Sequence, residues 1–157
     1  MMIALVLALA AQTSSNRLPP ARALPPPIGE EQPVLATVNA VLATFNSGDA
    51  AGLLRWVYPD GRVTATGTRA TGSGLRSESW SQFSQRVSPN STFQETISDP
   101  AIEVDGDAAM LWAPFVVRVG GKVSNCGYDH FDLVRENGGW KVMNLTFSSR
   151  TSGCPQE

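Results

Sequence analysis

Charge is scarce in this sequence: Asp, Glu, Lys and Arg make up 17% of the 157 residues, 12 of them basic and 14 acidic. No Lys- or Arg-rich run exists, so the electrostatic footprint that draws a protein to nucleic-acid phosphates is absent. Histidine occurs once, as His130, and cysteine twice, as Cys126 and Cys154. Those three cannot supply the four ligands of a structural zinc site, and no metal-ligand spacing is present, so neither metal nor cofactor is expected. There is no nucleophile elbow, no Ser-His-Asp ordering and no phosphate-cradling glycine loop; the glycines mark hairpins instead.

The one long apolar run, Met2 to Ala11, is too short to cross a bilayer as a helix, which takes about 20 residues. Its Ala8-Leu9-Ala10 ending has the small-x-small form that a signal peptidase accepts, although no Lys or Arg precedes it. Residues 1–11 are therefore read as a signal peptide, with an uncleaved anchor as the rival. The protein is expected to be exported, periplasmic or secreted, with no stable membrane span after leader removal. Residues 12–32 carry Pro19-Pro20 and Pro25-Pro26-Pro27. Consecutive prolines fix an extended backbone without donors, so a disordered tether is expected there, leading into one domain over 33–154.

Val34, Val38, Val41, Leu42 and Phe45 recur at helical spacing, and Asn46-Ser47-Gly48 ends that helix. Asp49 caps a short second helix with Leu53, Leu54 and Trp56. Tyr58-Pro59-Asp60-Gly61 is a turn, 62–66 a strand, and Ser77 a cap for a third helix carrying Trp80, Phe83 and Val87. Short strands near 92–98 and 102–104 precede three long ones at 108–118, 123–135 and 140–149, joined at Gly120-Gly121 and Asn137-Gly138-Gly139. Helices first and antiparallel strands last is an α+β pattern, with N-terminal helices on one face of a bent sheet.

The long strands are apolar on both faces. In 108–118, Met110, Trp112 and Val116 alternate with Leu111, Ala113, Phe115 and Val117; in 140–149, Trp140 and Val142 oppose Met143, Leu145 and Phe147. An antiparallel sheet with one wet face alternates apolar and polar, so the face away from the helices needs a cover. A second copy of the chain is the simplest one, and a homodimer through Leu111, Phe115, Leu145 and Phe147 is expected.

Phe45-x-x-Gly48-Asp49 with Leu53, Pro59-Asp60-Gly61, Gly106-Asp107-Ala108 leading to Trp112, Cys126-Gly127-x-Asp129-x-Phe131-x-Leu133, and Trp140-Lys141-Val142 occur in order over 33–150. In these the chain resembles the nuclear transport factor 2-like superfamily, and within it the small bacterial proteins labelled "putative lumazine-binding" or of unknown function. The resemblance implies helices on a strongly bent antiparallel or mixed sheet, a half-cone with an internal cavity. It implies no single activity: the superfamily holds steroid isomerases, dehydratases, epoxide hydrolases, polyketide cyclases, transport receptors and pure binding domains. The Tyr-plus-Asp oxyanion pair of the isomerases and the His-plus-Tyr set of the dehydratases cannot be matched onto this chain.

Counting register from the turns sets Arg118 opposite Val123, Trp112 opposite Asp129, Arg135 opposite Trp140, Asp129 opposite Thr146 and Phe131 opposite Asn144. Asp129 then lies mid-sheet on the pocket face with Trp112, Phe131, Leu133 and Val142. A carboxyl in apolar surroundings is held in its neutral form and can exchange protons near neutrality, which makes Asp129 the catalytic candidate; a purely structural hydrogen-bonding role is the alternative. Trp56, Trp80, Phe83, Trp112 and Phe131, with Asn144 and Thr146 as orienting groups, are the candidate pocket for a small apolar or aromatic ligand. His130 falls on the other face, where pairing with Asp132 explains it better than catalysis. Cys126 and Cys154 form a disulfide or remain two thiols; export favours the bond.

Two functions stand. One is an exported binding or interaction domain; the other is an isomerase, dehydratase or cyclase acting without a cofactor. An open void reaching Asp129 favours the enzyme, and a cavity plugged by tryptophan favours the binding or interaction domain.

Overall fold

Helix α1 (Glu31–Ser47) buries Val34, Val38, Val41, Leu42 and Phe45 along one stripe, and it ends where Gly48 takes a left-handed conformation with φ 72°. A Cβ on Gly48 would lie 2.2 Å from the Ser88 carbonyl, so the glycine also admits the chain that follows the third helix. The computed structural model describes residues 29–67, 74–89 and 92–156. The leader, and the tether as far as residue 28, lie outside the described residues. Asp49 accepts a hydrogen bond from the Gly52 N–H at 2.7 Å and so caps α2 (Ala50–Trp56).

The strands are β1 (Arg62–Gly67), β2 (Leu75–Ser79), β3 (Phe93–Ile97), β4 (Ala101–Asp105), β5 (Ala108–Val119), β6 (Lys122–Glu136) and β7 (Gly139–Ser149), with α3 (Trp80–Ser84) after β2. They form one seven-stranded sheet in the order β2-β1-β7-β6-β5-β3, with β4 also paired to β5. β1 runs parallel to β7 and every other pair is antiparallel. The fold is α+β, with helices on one side of a large curved, open sheet. β2 stands where the third helix was expected to begin. Its residues 75–79 pair with β1, so the helix cap moves from Ser77 to Ser79, whose side chain accepts from the Gln82 N–H while Gln82 reaches back to the Ser79 N–H.

Two irregularities decide which side chains face the helices. Register shifts between Val117 and Arg118, where β6 carries Ser124 as an extra residue, and between Asp132 and Leu133, where β7 carries Met143. Arg118–Val123 and Arg135–Trp140 pair as the turns predict, but beyond each bulge the partners move by one. Asp129 lies opposite Ala113 and Phe147, not Trp112 and Thr146, and Phe131 opposite Leu145, not Asn144. A shift of one residue exchanges faces. Leu111, Ala113, Phe115, Phe131, Leu133 and Leu145 therefore lie on the concave side with Trp140 and Val142, all buried. The expected dimer surface of Leu111, Phe115, Leu145 and Phe147 is corrected: these residues face the helices and the cavity.

The chain end returns to β6. Arg150 and Cys126 exchange backbone hydrogen bonds at 3.0 and 2.9 Å, and Cys126 is joined to Cys154 with Cα atoms 5.6 Å apart. A link across 28 residues limits the unfolded chain by about 3–4 kcal/mol in the loop-entropy account. Replacing both cysteines by serine is expected to lower the unfolding midpoint without changing the fold, measured by thermal denaturation. Alkylation followed by mass spectrometry before and after reduction checks the bond itself, and two reactive thiols in the unreduced protein would contradict it.

Candidate functional site

A cavity of about 620 Å³ opens between the concave face and the helices. Phe115, Val117, Leu145 and Phe147 form its sheet wall, and Phe45, Phe83 and Val87 form the wall facing them. Phe115 and Phe147 meet edge to face, with ring centroids 6.1 Å apart. Phe83 packs at 5.3 Å on Phe45 and at 5.6 Å, edge on, against Trp80. Trp80 lies behind that wall, fully buried, its indole N–H donating to the Met143 carbonyl at 3.1 Å.

Asp129 reaches this cavity from the middle of β6 with 1% of its surface exposed, and its Oδ2 has no hydrogen-bond partner. Glu95 lines the same cavity from β3. Asn46, in the last turn of α1, clamps Glu95 by its backbone: the Glu95 N–H donates to Oδ1 at 2.7 Å, and Nδ2 donates to the Glu95 carbonyl at 3.1 Å. The two acids hydrogen-bond through their side chains. Burial raises the Asp129 pKa well above the carboxylate range, and the charge and acceptor oxygen of Glu95 raise it further. Burial also raises Glu95, against the pull of the bond it receives from Asp129, to about 7. Asp129 is thereby favoured in its neutral form, and the Glu95 carboxyl beside it exchanges a proton near neutrality. Such a pair can take a proton from one atom of a bound molecule and return it to another. Among the described residues, no group of three or more His, Cys, Asp and Glu could hold a metal ion.

A family described as "Putative lumazine-binding" matches residues 29–148. The chain belongs to that family. It sits in the nuclear transport factor 2-like superfamily, and solved structures share the fold. One is a nuclear transport factor 2-like protein of unknown function from Shewanella baltica, at 13% identity over 78% of this chain and 95% of that one, TM-score 0.60. Another, from Novosphingobium aromaticivorans, is nuclear transport factor 2-like with a cystatin-like fold, at 16% identity over 79% and 83%, TM-score 0.61. A third, from Xanthomonas campestris, is described as a putative calcium/calmodulin dependent protein kinase II association domain, at 20% identity over 83% and 94%, TM-score 0.65. No curated protein matches the chain.

In this member of that family, the cavity takes Asp129 and Phe83 from the residues singled out in the sequence. Phe131 is fully buried in the core beside it, and Trp80 backs the wall. The others lie elsewhere. Trp112 is 45% exposed on the convex face, stacked on Tyr128 at 5.3 Å, because the bulge at Ser124 turns it away from Asp129. His130 is beside it, with Nε2 3.5 Å from Asp132 Oδ1. Thr146 pairs with His130 on that face and is exposed. Asn144 accepts from the Arg62 N–H at 2.9 Å and donates to Asp132, holding β1 to β7 instead of orienting a ligand. Trp56 is exposed at the end of α2.

Glu95 was missed, although a signal existed. Phe93, Glu95 and Ile97 share one face of a five-residue strand, so a carboxyl stands in line with two apolar residues that point inward. Its raised pKa fixes a pH dependence. The folded state binds more protons than the unfolded chain between about 4.5 and about 7, so this contribution is complete below pH 4.5 and lost as pH rises through 7. The unfolding midpoint of the wild-type protein is expected to fall over that window, by on the order of 1–3 kcal/mol in stability, and Glu95→Gln is expected to flatten the fall. Denaturation series at stepped pH check it; an equally steep fall in the variant would assign the effect elsewhere.

Proposed function

We propose that this protein binds a small apolar or aromatic molecule in the concave cavity, with a polar atom of that molecule on the Asp129–Glu95 pair. The observation that carries this is the open void of about 620 Å³ ending on the buried Asp129 and the partly buried Glu95, with no tryptophan lining it among the described residues. Its size is that of pockets that enclose a small organic molecule, about 300–1,000 Å³. By the distinction drawn from the sequence, an unplugged void at Asp129 favours a second reading: a cofactor-independent isomerase, dehydratase or cyclase. Glu95 would be the base and the neutral Asp129 the group that hydrogen-bonds it and passes the proton on.

A thermal-shift screen with aromatic and polycyclic compounds tests binding, since a ligand of the native state raises its midpoint. Ala65→Trp, which fills the cavity beside Phe147, is expected to abolish any shift. A shift that survives in a folded Ala65→Trp variant would place the ligand elsewhere. Asp129→Asn keeps a donor toward Glu95 but cannot release a proton. It is expected to change stability by less than about 1 kcal/mol and retain ligand within a few-fold, while turnover of a screened substrate falls at least about 100-fold. Retained turnover would leave binding alone.

Export and dimerisation belong to the same proposal. The Cys126–Cys154 bond fits an oxidising compartment. The convex face carries Trp112 and Tyr128, 45% and 39% exposed and stacked, and a second copy covering this patch would remove it from water. Trp112→Lys is then expected to sediment as a monomer; a variant that stays dimeric would put the interface elsewhere.

A further inference from the structure

We infer that the ligand of this cavity carries an anionic group at one end, received at the mouth by Arg76 and Arg86, while its apolar body reaches inward toward Asp129. The inference rests on the cavity being a ligand site and adds the chemical class of the occupant.

Both arginines line the cavity, and they come from different elements. Arg76 stands on β2 opposite Ala65, Ala65 opposite Phe147, and Phe147 opposite Asp129. Cross-strand partners share a face, so one row runs over the concave surface from a guanidinium, past a small residue and an aromatic ring, to the buried acid. Adjacent strands are about 4.8 Å apart, so the row spans about 14 Å of sheet, the length of two fused rings with a substituent. Arg86 follows α3 on the opposite wall, its guanidinium 5.1 Å from the centroid of Phe83. Glu78 Oε1 lies 3.3 Å from Arg76 and is also bonded to Arg86. Among the described residues, two cations share one carboxylate, which leaves one positive charge in excess at the mouth. Exposed ion pairs of this kind are weak, and an arriving anion can take over guanidinium donors at small cost. Among the described residues, the charged groups lining the inner end are the acids Asp129 and Glu95, which repel an anion. The charge distribution therefore fixes a direction: anion outward, neutral end inward.

Two fluorescent probes that differ by one sulfonate test this: 1-anilinonaphthalene-8-sulfonate and uncharged N-phenyl-1-naphthylamine. The wild-type protein is expected to bind the sulfonate about tenfold more tightly, the scale of one charge-assisted hydrogen-bonding contact. Arg76→Gln with Arg86→Gln is expected to remove that preference while leaving the uncharged probe bound as before, which also reports that the cavity is intact. Glu78→Gln is expected to increase the preference. Equal affinity for the two probes in the wild-type protein would overturn the anionic class and leave the cavity reading standing. So would a preference that survives loss of both arginines. If neither probe binds, the cavity reading falls, and this inference with it.

Discussion

The bend of the sheet originates where one strand carries a residue more than its neighbour, at Ser124 in β6 and at Met143 in β7. A bulge bends and twists a strand, and it reassigns the faces beyond it. Both consequences are needed here. The bend encloses a volume that a flat sheet would leave open. The reassignment lets Trp140 and Val142 share the concave side with Leu145 and Phe147, so a strand that reads as apolar on both faces becomes apolar mainly on one. The helices cover part of that side, and the cavity is what remains toward the far ends of β1, β5 and β7.

An acid in this apolar surface is tolerable only if its charge is avoided or shared. Asp129 avoids charge by keeping its proton, and Glu95 is placed to accept from it. Glu95 sits on a strand at the sheet edge, where a side chain could easily shift. The paired hydrogen bonds from Asn46 tie that strand to α1, the same helix whose Phe45 forms part of the cavity wall. One helix therefore sets the shape of the apolar wall and the position of the acid that faces Asp129.

Much of this was legible in the sequence, and the failures have one cause. The stripe of α1, the Asp49 cap and the three long strands follow from side-chain periodicity and turn chemistry, both local properties. Arg118–Val123 and Arg135–Trp140 lie next to their turns, so counting from the turn succeeds there. Asp129, mid-strand, lies beyond a bulge in each direction, and nothing in Ser124 or Met143 announces an extra residue. Trp112, Thr146 and Asn144 were assigned to the cavity by that count and lie outside it. Asp129 nevertheless lies on the expected face, because Phe131 and Leu133, which share its parity on β6 and were placed with it, are buried in the core. Strand parity alone points Glu95 inward, but its place in the site, like that of Arg76, comes from long-range pairings, β3 with β5 and β2 with β1.

The mouth of the cavity lies where helix packing no longer supports the sheet, so its stiffness has another origin. Phe147 and Ser149 line it near the end of β7, beside Ser124 and Asn125 of β6. Between these segments Gly127 lets the strands approach so closely that a Cβ would fall 1.9 Å from the Ser148 carbonyl oxygen and 2.9 Å from the Phe115 ring. One residue away, Cys126 pairs with Arg150 and is bonded to Cys154. A covalent link and a close backbone contact thus hold β6 to β7 just where the two strands would otherwise separate. A binding site needs its walls fixed before the ligand arrives, because ordering them on arrival costs affinity. In this chain the deep end is fixed by packing and by the Asn46 clamp on Glu95, and the open end by the disulfide.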